Sequence, residues 1–354
     1  MRRGLMRWNA EELPVAALEA RLAKLRAAMK IAGMNAFVVY TNNVRPSAVT
    51  HITGFTPYWS DALLLVPMTD APVFATALSK RVSEWIRTTD PVSEIVNSPR
   101  PGTLIGERLA KDTAIKRVGV LEFDTLPSGL ADDLAAAAPA IEWTDGSVLF
   151  AGLRRAIDDA ERKLISRADA IAIAALREAE AGKTNDAGTL AGLIEQHARL
   201  AGAEEAYIAI APDLAADHRF NRLSKPVPLA ERFAVRASIA YKGAWVRRAR
   251  TFAKDASVAK AEAWLDGVAR SLEAGKPIAA QLAARVNELP GATLQSWMVE
   301  SCTGSYPLSV IASSRAPGKD APANGQFLVL TIELALDGAP WIGAAPLIVG
   351  KTEF

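Results

Sequence analysis

The chain of 354 residues holds a single cysteine, Cys302, and only three histidines. One cysteine excludes an internal disulfide and any cysteine-rich metal site. It suits a reducing compartment. No apolar run is long enough to span a bilayer as a helix. The opening "MRRGLMRWNAEELP" is basic but lacks an apolar core and a small-residue cleavage site, so it is not expected to be a secretory signal. The net charge of +2 is too small to indicate a nucleic-acid or membrane partner, and no long block of like charge forms an interaction tail. Neither a glycine-rich phosphate loop in its strand–helix context nor a Ser-His-Asp signature is present. What remains is an ordinary globular composition, 50% hydrophobic and 23% charged, long enough for two domains. A cytoplasmic protein is expected.

Two textures divide the chain. Val15 to Met34 carries Leu18, Leu22, Leu25 and Met29 at helical spacing. "NAFVVYT" follows as a buried strand, and "DALLLVPM" with "APVFATA" forms a hairpin around Thr69-Asp70. "SKRVSEWIRTT" and "LPSGLADDLAAAAP" are helices flanking the strand "RVGVLEFD". This alternation predicts an α/β domain with a mixed sheet over residues 1–150. "TDGSVLFAGLR" is read as the link to residues 151–354. There, four amphipathic helices begin at Ile157, Thr189, Lys260 and Ile278. Among them lie the strands "AYIAIAP", "RFAVRASIAY", "AWVRRARTFA", "QFLVLTIEL" and "APLIVG", which predict an α+β domain: a curved antiparallel sheet covered by helices.

The stretch "VRASIAYKGAWVRRARTF" reads as two strands around the turn Lys242-Gly243. Four arginines, Arg236, Arg247, Arg248 and Arg250, stand in this half-buried hairpin. An unpaired buried charge costs several kcal/mol, so each needs a partner or a purpose. Strand alternation turns Arg248 to the face opposite Arg247, where a solvated or interface role is expected.

The hairpin carries a resemblance. Creatinase–prolidase–aminopeptidase P proteins read "D-x-G-x-x-Y-x-G-Y-x-x-D-x-T-R-T-F" here, and Tyr241, Gly243, Arg250, Thr251 and Phe252 match. "VTHITGF" is similar to that family's "NIYYLTGF", and Lys163, Ile165 and Ala168 match its linker helix. The resemblance covers most of the chain. It implies a creatinase-type N-terminal α/β domain followed by a pita-bread (creatinase/aminopeptidase-like) domain, and a homodimer or a heteromer with an active relative.

The departures are chemical. In metal-dependent members two aspartates, a histidine and two glutamates hold two metal ions. Carried over, the aspartates become Arg236 and Arg247, the histidine becomes Ser305, and the second glutamate falls at or near Gly343. Only Glu333 is kept. Arginine has no lone pair for a metal, and two guanidinium charges repel a divalent ion. No metal or other cofactor is therefore expected, and a metallopeptidase is disfavoured.

Creatinase-type members work without metal, through a histidine upstream of the hairpin. His218, in "APDLAADHRFNRLSKP", matches it, whereas one supporting glutamate falls at Ala249. An imidazole takes and gives a proton at neutral pH, so His218 is the candidate proton shuttle; the plain alternative is a capping or packing loop histidine. Glu333 is expected to orient the ligand or to pair with Arg236 or Arg247, leaving the other arginine for an anion. The candidate set is thus His218 and Glu333 as catalytic residues, with Arg236, Arg247, Tyr241, Ser305 and Trp59 for substrate. Tyr58 and Trp59, in "TGFTPYWSDA", either reach a neighbouring subunit's pocket or pack at the surface. Arg250 is expected to be structural, and Cys302 a small hydrophobe and no nucleophile. Two readings follow. One is a metal-independent hydrolase of a C–N bond in a small anionic metabolite. The other is a catalytically inactive binding subunit whose old metal site is filled by salt bridges.

Overall fold

The computed structural model describes residues 8–57, 60–180, 182, 184–223, 225–318 and 321–351. Tyr58 and Trp59 lie outside the described residues. The chain divides into two compact units. The first is the chain through Arg154 together with Cys302–Pro307; the second is Arg155–Ser301 with the chain from Leu308 onward.

In the first unit the elements run α1 (Val15–Ile31), β1 (Ala36–Thr41), α2 (Ser47–Thr53), β2 (Ala62–Pro67), β3 (Val73–Thr76) and α3 (Lys80–Arg87). They continue as β4 (Glu94–Asn97), α4 (Pro101–Lys111), β5 (Arg117–Val120), α5 (Ser128–Ala137), β6 (Glu142–Asp145) and α6 (Ser147–Leu153). The six strands form a mixed sheet in the order β4-β3-β2-β1-β5-β6. Its central strands are apolar on both faces because helices cover both. Phe37 and Val39 pack with Leu22, Leu25 and Met29 of α1, while Val38 packs with Ile105 and Leu109 of α4. Two glycines, one turn apart on α4, let α5 come close. A Cβ on Gly102 would stand 2.7 Å from Asp133 Cβ, and one on Gly106 2.6 Å from Ala137 Cβ.

In the second unit α7 (Asp159–Glu180) and α8 (Ala187–Leu200) precede β7 (Glu205–Ala211), β8 (Phe233–Tyr241) and β9 (Ala244–Phe252). Then come α9 (Ala256–Ser271), α10 (Ile278–Val286), β10 (Ala292–Ser301), β11 (Ser309–Ser313), β12 (Phe327–Leu336) and β13 (Ala339–Ile348). Asp159 and Glu161 occupy the first turn of α7, as the helix dipole favours. Asp186 caps α8 by accepting from Thr189 N at 2.7 Å. The strands pair antiparallel in the order β11-β10-β12-β13-β9-β8-β7.

One face of this sheet packs on the helices. Ala237, Ile239 and Val246 meet α7 and α8, and Leu330, Ile332 and Leu334 meet α9 and α10. The residues between them point to the other face, here termed the polar face. Lys242 (φ 47°) and Gly243 (φ 77°) form the β8–β9 turn, both in the left-handed region that a two-residue hairpin turn requires.

The mixed sheet and the helix-covered antiparallel sheet agree with expectation. Some elements do not. The stretch expected as a link folds as the end of β6 and α6. The strands β10 and β11 were not anticipated, and β13 starts earlier than "APLIVG" suggests. β10 sets Leu294, Trp297 and Val299 on the helix face and Thr293, Ser296 and Glu300 on the other, a period-2 signal broken by a register shift between Leu294 and Ser296.

Candidate anion site on the polar face of the second sheet

Register places the arginines. Arg236 pairs with Ala249 and Arg247 with Ser238, so both arginines and both partners share the polar face. Arg248 and Arg250 fall on the helix face. Arg248 is not solvated there. Its Nε donates to Asp169 Oδ1 of α7 at 2.5 Å and its Nη2 to Oδ2 at 2.9 Å. These hydrogen bonds raise its pKa against the opposing effect of burial. Arg250 donates from Nε and Nη2 to Glu262 of α9, at 2.9 and 2.7 Å, and from Nη1 to Glu180 of α7. Two of the four arginines therefore clamp helices to the sheet.

Arg247 is neutralised, though not by the residue expected. Its Nη1 donates to both carboxylate oxygens of Glu300 on β10, and its Nε donates to Ser238 Oγ at 2.9 Å. Glu300 is 4% exposed, so the pair is a buried one. The expected pairing of Glu333 with a hairpin arginine is not formed. Glu333 faces the same side of β12, opposite Ser296 and Ile342, but receives no hydrogen bond or ion pair among the described residues. The physical reason is register: Glu300 lies opposite Val329 on β12, which lies opposite Pro346 on β13. That brings Glu300 into the lateral row of Arg247, whereas Glu333 lies further along the strands.

Arg236 has no hydrogen-bond acceptor among the described residues. Its guanidinium carbon lies 4.9 Å from the ring centroid of Phe220. Burial and the nearby Arg247 charge both push its pKa below the usual arginine value, and Glu300 offsets this in part. Arg236 is thus a partly buried cation whose donors meet no acceptor among the described residues.

The other candidates scatter. His218 is exposed, on the loop between β7 and β8. Its charge helps depress the pKa of Asp217 by attraction, a smaller effect than the hydrogen bonds from Arg219, and neither Glu333 nor Arg236 contacts it. Tyr241 is on the helix face, 5.9 Å below the guanidinium of Arg167, and not on the face of Arg236. Ser305 belongs to the first unit. There its hydroxyl donates to Glu122, its N–H donates to the same carboxylate at 3.2 Å, and its carbonyl accepts from Ser47 N at 3.0 Å. Cys302 stands beside it in polar surroundings, with Ser47 Oγ at 2.8 Å and an Arg154 N–H donating at 2.9 Å, and not as a buried hydrophobe. At Gly343 a Cβ would meet the Trp341 ring at 2.2 Å and Leu265 of α9 at 2.8 Å, so this position faces the helices. The residue of β13 that faces Ala249 is Ala344.

The donor set does not fit a dinuclear metal centre. Arg236, Ala249, Ala344 and Arg247 supply no lone pair, and Glu300 is taken by Arg247. No group of three His, Cys, Asp or Glu side chains among the described residues is placed to hold a metal ion.

Glu300 and Phe220 were missed from sequence. Alternation in "TLQSWMVES" was the available signal for Glu300. For Phe220 nothing local distinguishes a loop aromatic.

Residues 21–156 match the creatinase/prolidase N-terminal domain family. No curated protein matches the chain by sequence. Among solved structures, prolidase from Pyrococcus horikoshii OT3 is similar at 13% identity and TM-score 0.69, over 94% of this chain and 96% of that one. X-Pro aminopeptidase from Thermotoga maritima MSB8 is similar at 14% identity and TM-score 0.72, over 94% and 95%. The N-terminal domain of FACT complex subunit SPT16 from Cicer arietinum is also similar, at 14% identity and TM-score 0.61, over 95% and 94%. Residues 21–156 thus match the creatinase/prolidase N-terminal domain model, and the whole chain shares the pita-bread fold of these prolidase and X-Pro aminopeptidase structures. Among the described residues no helix is long and apolar enough to cross a membrane.

Proposed function

We propose that the polar face of the second sheet binds a small organic anion without a metal, Arg236 supplying the charge-assisted hydrogen bonds. The observation that carries this reading is the contrast between the two arginines at the positions matched to the family's metal ligands: Arg247 is spent on Glu300 and Ser238, and Arg236 on no acceptor among the described residues. Charge-assisted bonds from arginine to an oxyanion are among the stronger polar contacts, and partial burial strengthens them further. The fold leaves the chemistry open, since it is shared by peptidases and by a FACT complex subunit. Binding is therefore the primary assignment. The test is calorimetric titration of chelator-treated protein with a panel of small carboxylates. Wild type is expected to bind and Arg236→Gln to lose at least tenfold in affinity. Unchanged affinity in the variant defeats the reading.

A second reading, hydrolysis of a C–N bond in that ligand, is favoured by one feature. Asn221 bridges Ile210, and Phe220 packs on the polar face two residues after His218. His218 is exposed two residues before Phe220 on the same loop, and an imidazole is the side chain suited to taking and giving a proton in such a step. Turnover of a C–N compound by metal-free protein, abolished in His218→Ala, tests it.

A further inference from the structure

The segment around Asn221 places a second arginine on the anion site. Ile210 N donates to Asn221 O at 2.9 Å and Asn221 N donates to Ile210 O at 3.0 Å. This antiparallel bridge fixes parity: Asn221 shares the helix face with Ile210, so Phe220 and Arg222 project to the polar face. The same register sets Arg222 across from Ala209, and Ala209 pairs with Arg236. Arg222, Ala209 and Arg236 thus form one lateral row. The two arginines stand two strand spacings apart, roughly 10 Å between Cα atoms, with a methyl group as the floor between them.

Both guanidinium groups lie over aromatic faces and meet no acceptor among the described residues. Arg222 lies 5.0 Å from the centroid of Tyr207, and Arg236 4.9 Å from that of Phe220. Stacking orients a guanidinium through its plane and leaves its in-plane N–H donors unspent. Glu300, a carboxylate of this face, is occupied by Arg247. The row therefore carries two positive charges with their hydrogen-bonding capacity intact.

We infer that Arg222 and Arg236 form a clamp for a doubly charged tetrahedral oxyanion, the phosphate or sulfate group of a small organic ester. A planar carboxylate has two oxygens in one plane and is satisfied by one arginine fork. Two forks on one lateral row, with only an alanine between them, can meet oxygens that are not coplanar, and two charges match a dianion. Arg222 becomes the residue that sets charge selectivity. This rests on the anion-binding reading of Arg236 given above.

The experiment is calorimetry with inorganic phosphate at pH 8, sulfate and acetate, at constant ionic strength, on wild type, Arg222→Gln and Arg236→Gln. Wild type is expected to bind phosphate and sulfate at least tenfold more tightly than acetate. Arg222→Gln is expected to lose about tenfold or more for the two oxyanions and to leave acetate unchanged. Equal oxyanion affinity in Arg222→Gln and wild type overturns the clamp. Unchanged acetate affinity in Arg236→Gln instead overturns the anion site itself. Phosphate tight and sulfate weak narrows the class to phosphate esters; the reverse narrows it to sulfates. Arg222 is an exposed loop residue, so its substitution leaves folding intact.

Discussion

Arg247 donates to both carboxylate oxygens of Glu300, while Arg236, on the same face of the same hairpin, donates to no acceptor among the described residues. The two arginines stand where related proteins are expected to carry metal-binding aspartates. They have taken unlike roles. One closes a buried ion pair across three strand gaps of the sheet. The other stacks on Phe220 and meets no acceptor among the described residues.

That difference predicts opposite stability effects. Arg247→Ala leaves the buried Glu300 carboxylate without a partner and is expected to cost about 3–5 kcal/mol. Arg236→Ala removes a cation that burial and Arg247 both disfavour, and is expected to stay within about 1 kcal/mol of wild type. Urea unfolding of each variant checks this, and equal losses would contradict the assignment.

On the helix face, Arg248 and Asp169 tie β9 to α7 through two hydrogen bonds. Asp169→Ala strands a buried guanidinium and is expected to cost about 3–5 kcal/mol. Replacing both residues by leucine is expected to recover most of that loss, because no unpaired charge remains. Thermal unfolding of the single and double variants gives the coupling.

Asp90 in the first unit is 3% exposed. Its Oδ1 accepts from Val92 N and Ser93 N, and its Oδ2 has no hydrogen-bond partner among the described residues. Burial pushes its pKa up to about 6. A carboxyl whose folded pKa lies above its unfolded value favours the fold while protonated. Its contribution is full below the unfolded value near 3.8 and is lost as pH rises through about 6. Asp90→Asn keeps the two backbone contacts without the charge. It is expected to stabilise the protein at pH 8 by on the order of 2–3 kcal/mol and to change little at pH 4. Unfolding free energies at the two pH values decide it.

Metal independence gives a prediction of its own. Zinc, manganese or cobalt ions are expected to leave the melting temperature unchanged, and chelation to leave anion affinity unchanged, because of the five positions carried over from the family's ligand set only Glu333 keeps a carboxylate and two carry arginine. Stoichiometric metal in the purified protein, found by elemental analysis, would falsify this.

Much of the fold was legible in local pattern. The helix stripe of Leu18, Leu22 and Leu25, the Thr69-Asp70 hairpin and the helices of the second unit follow from apolar periodicity, which local sterics and burial impose wherever the segment ends up. β10 escaped because its alternation is interrupted by the register shift, and with it escaped Glu300.

The sequence by itself determined the hairpin. A Lys-Gly pair between two alternating strands admits a two-residue turn, and counting outward from it pairs Arg236 with Ala249 and Arg247 with Ser238. Both arginines were thereby fixed on one face, and Arg248 and Arg250 on the other. Only the tertiary structure decided what each one meets. Glu300 reaches Arg247 from a strand that follows more than 50 residues later, Ser305 packs on Glu122 of the first unit, and Arg222 enters the row of Arg236 through a single bridge at Asn221. Pairings of that kind depend on strand order and register across the sheet, which non-local contacts set and no local sequence pattern encodes.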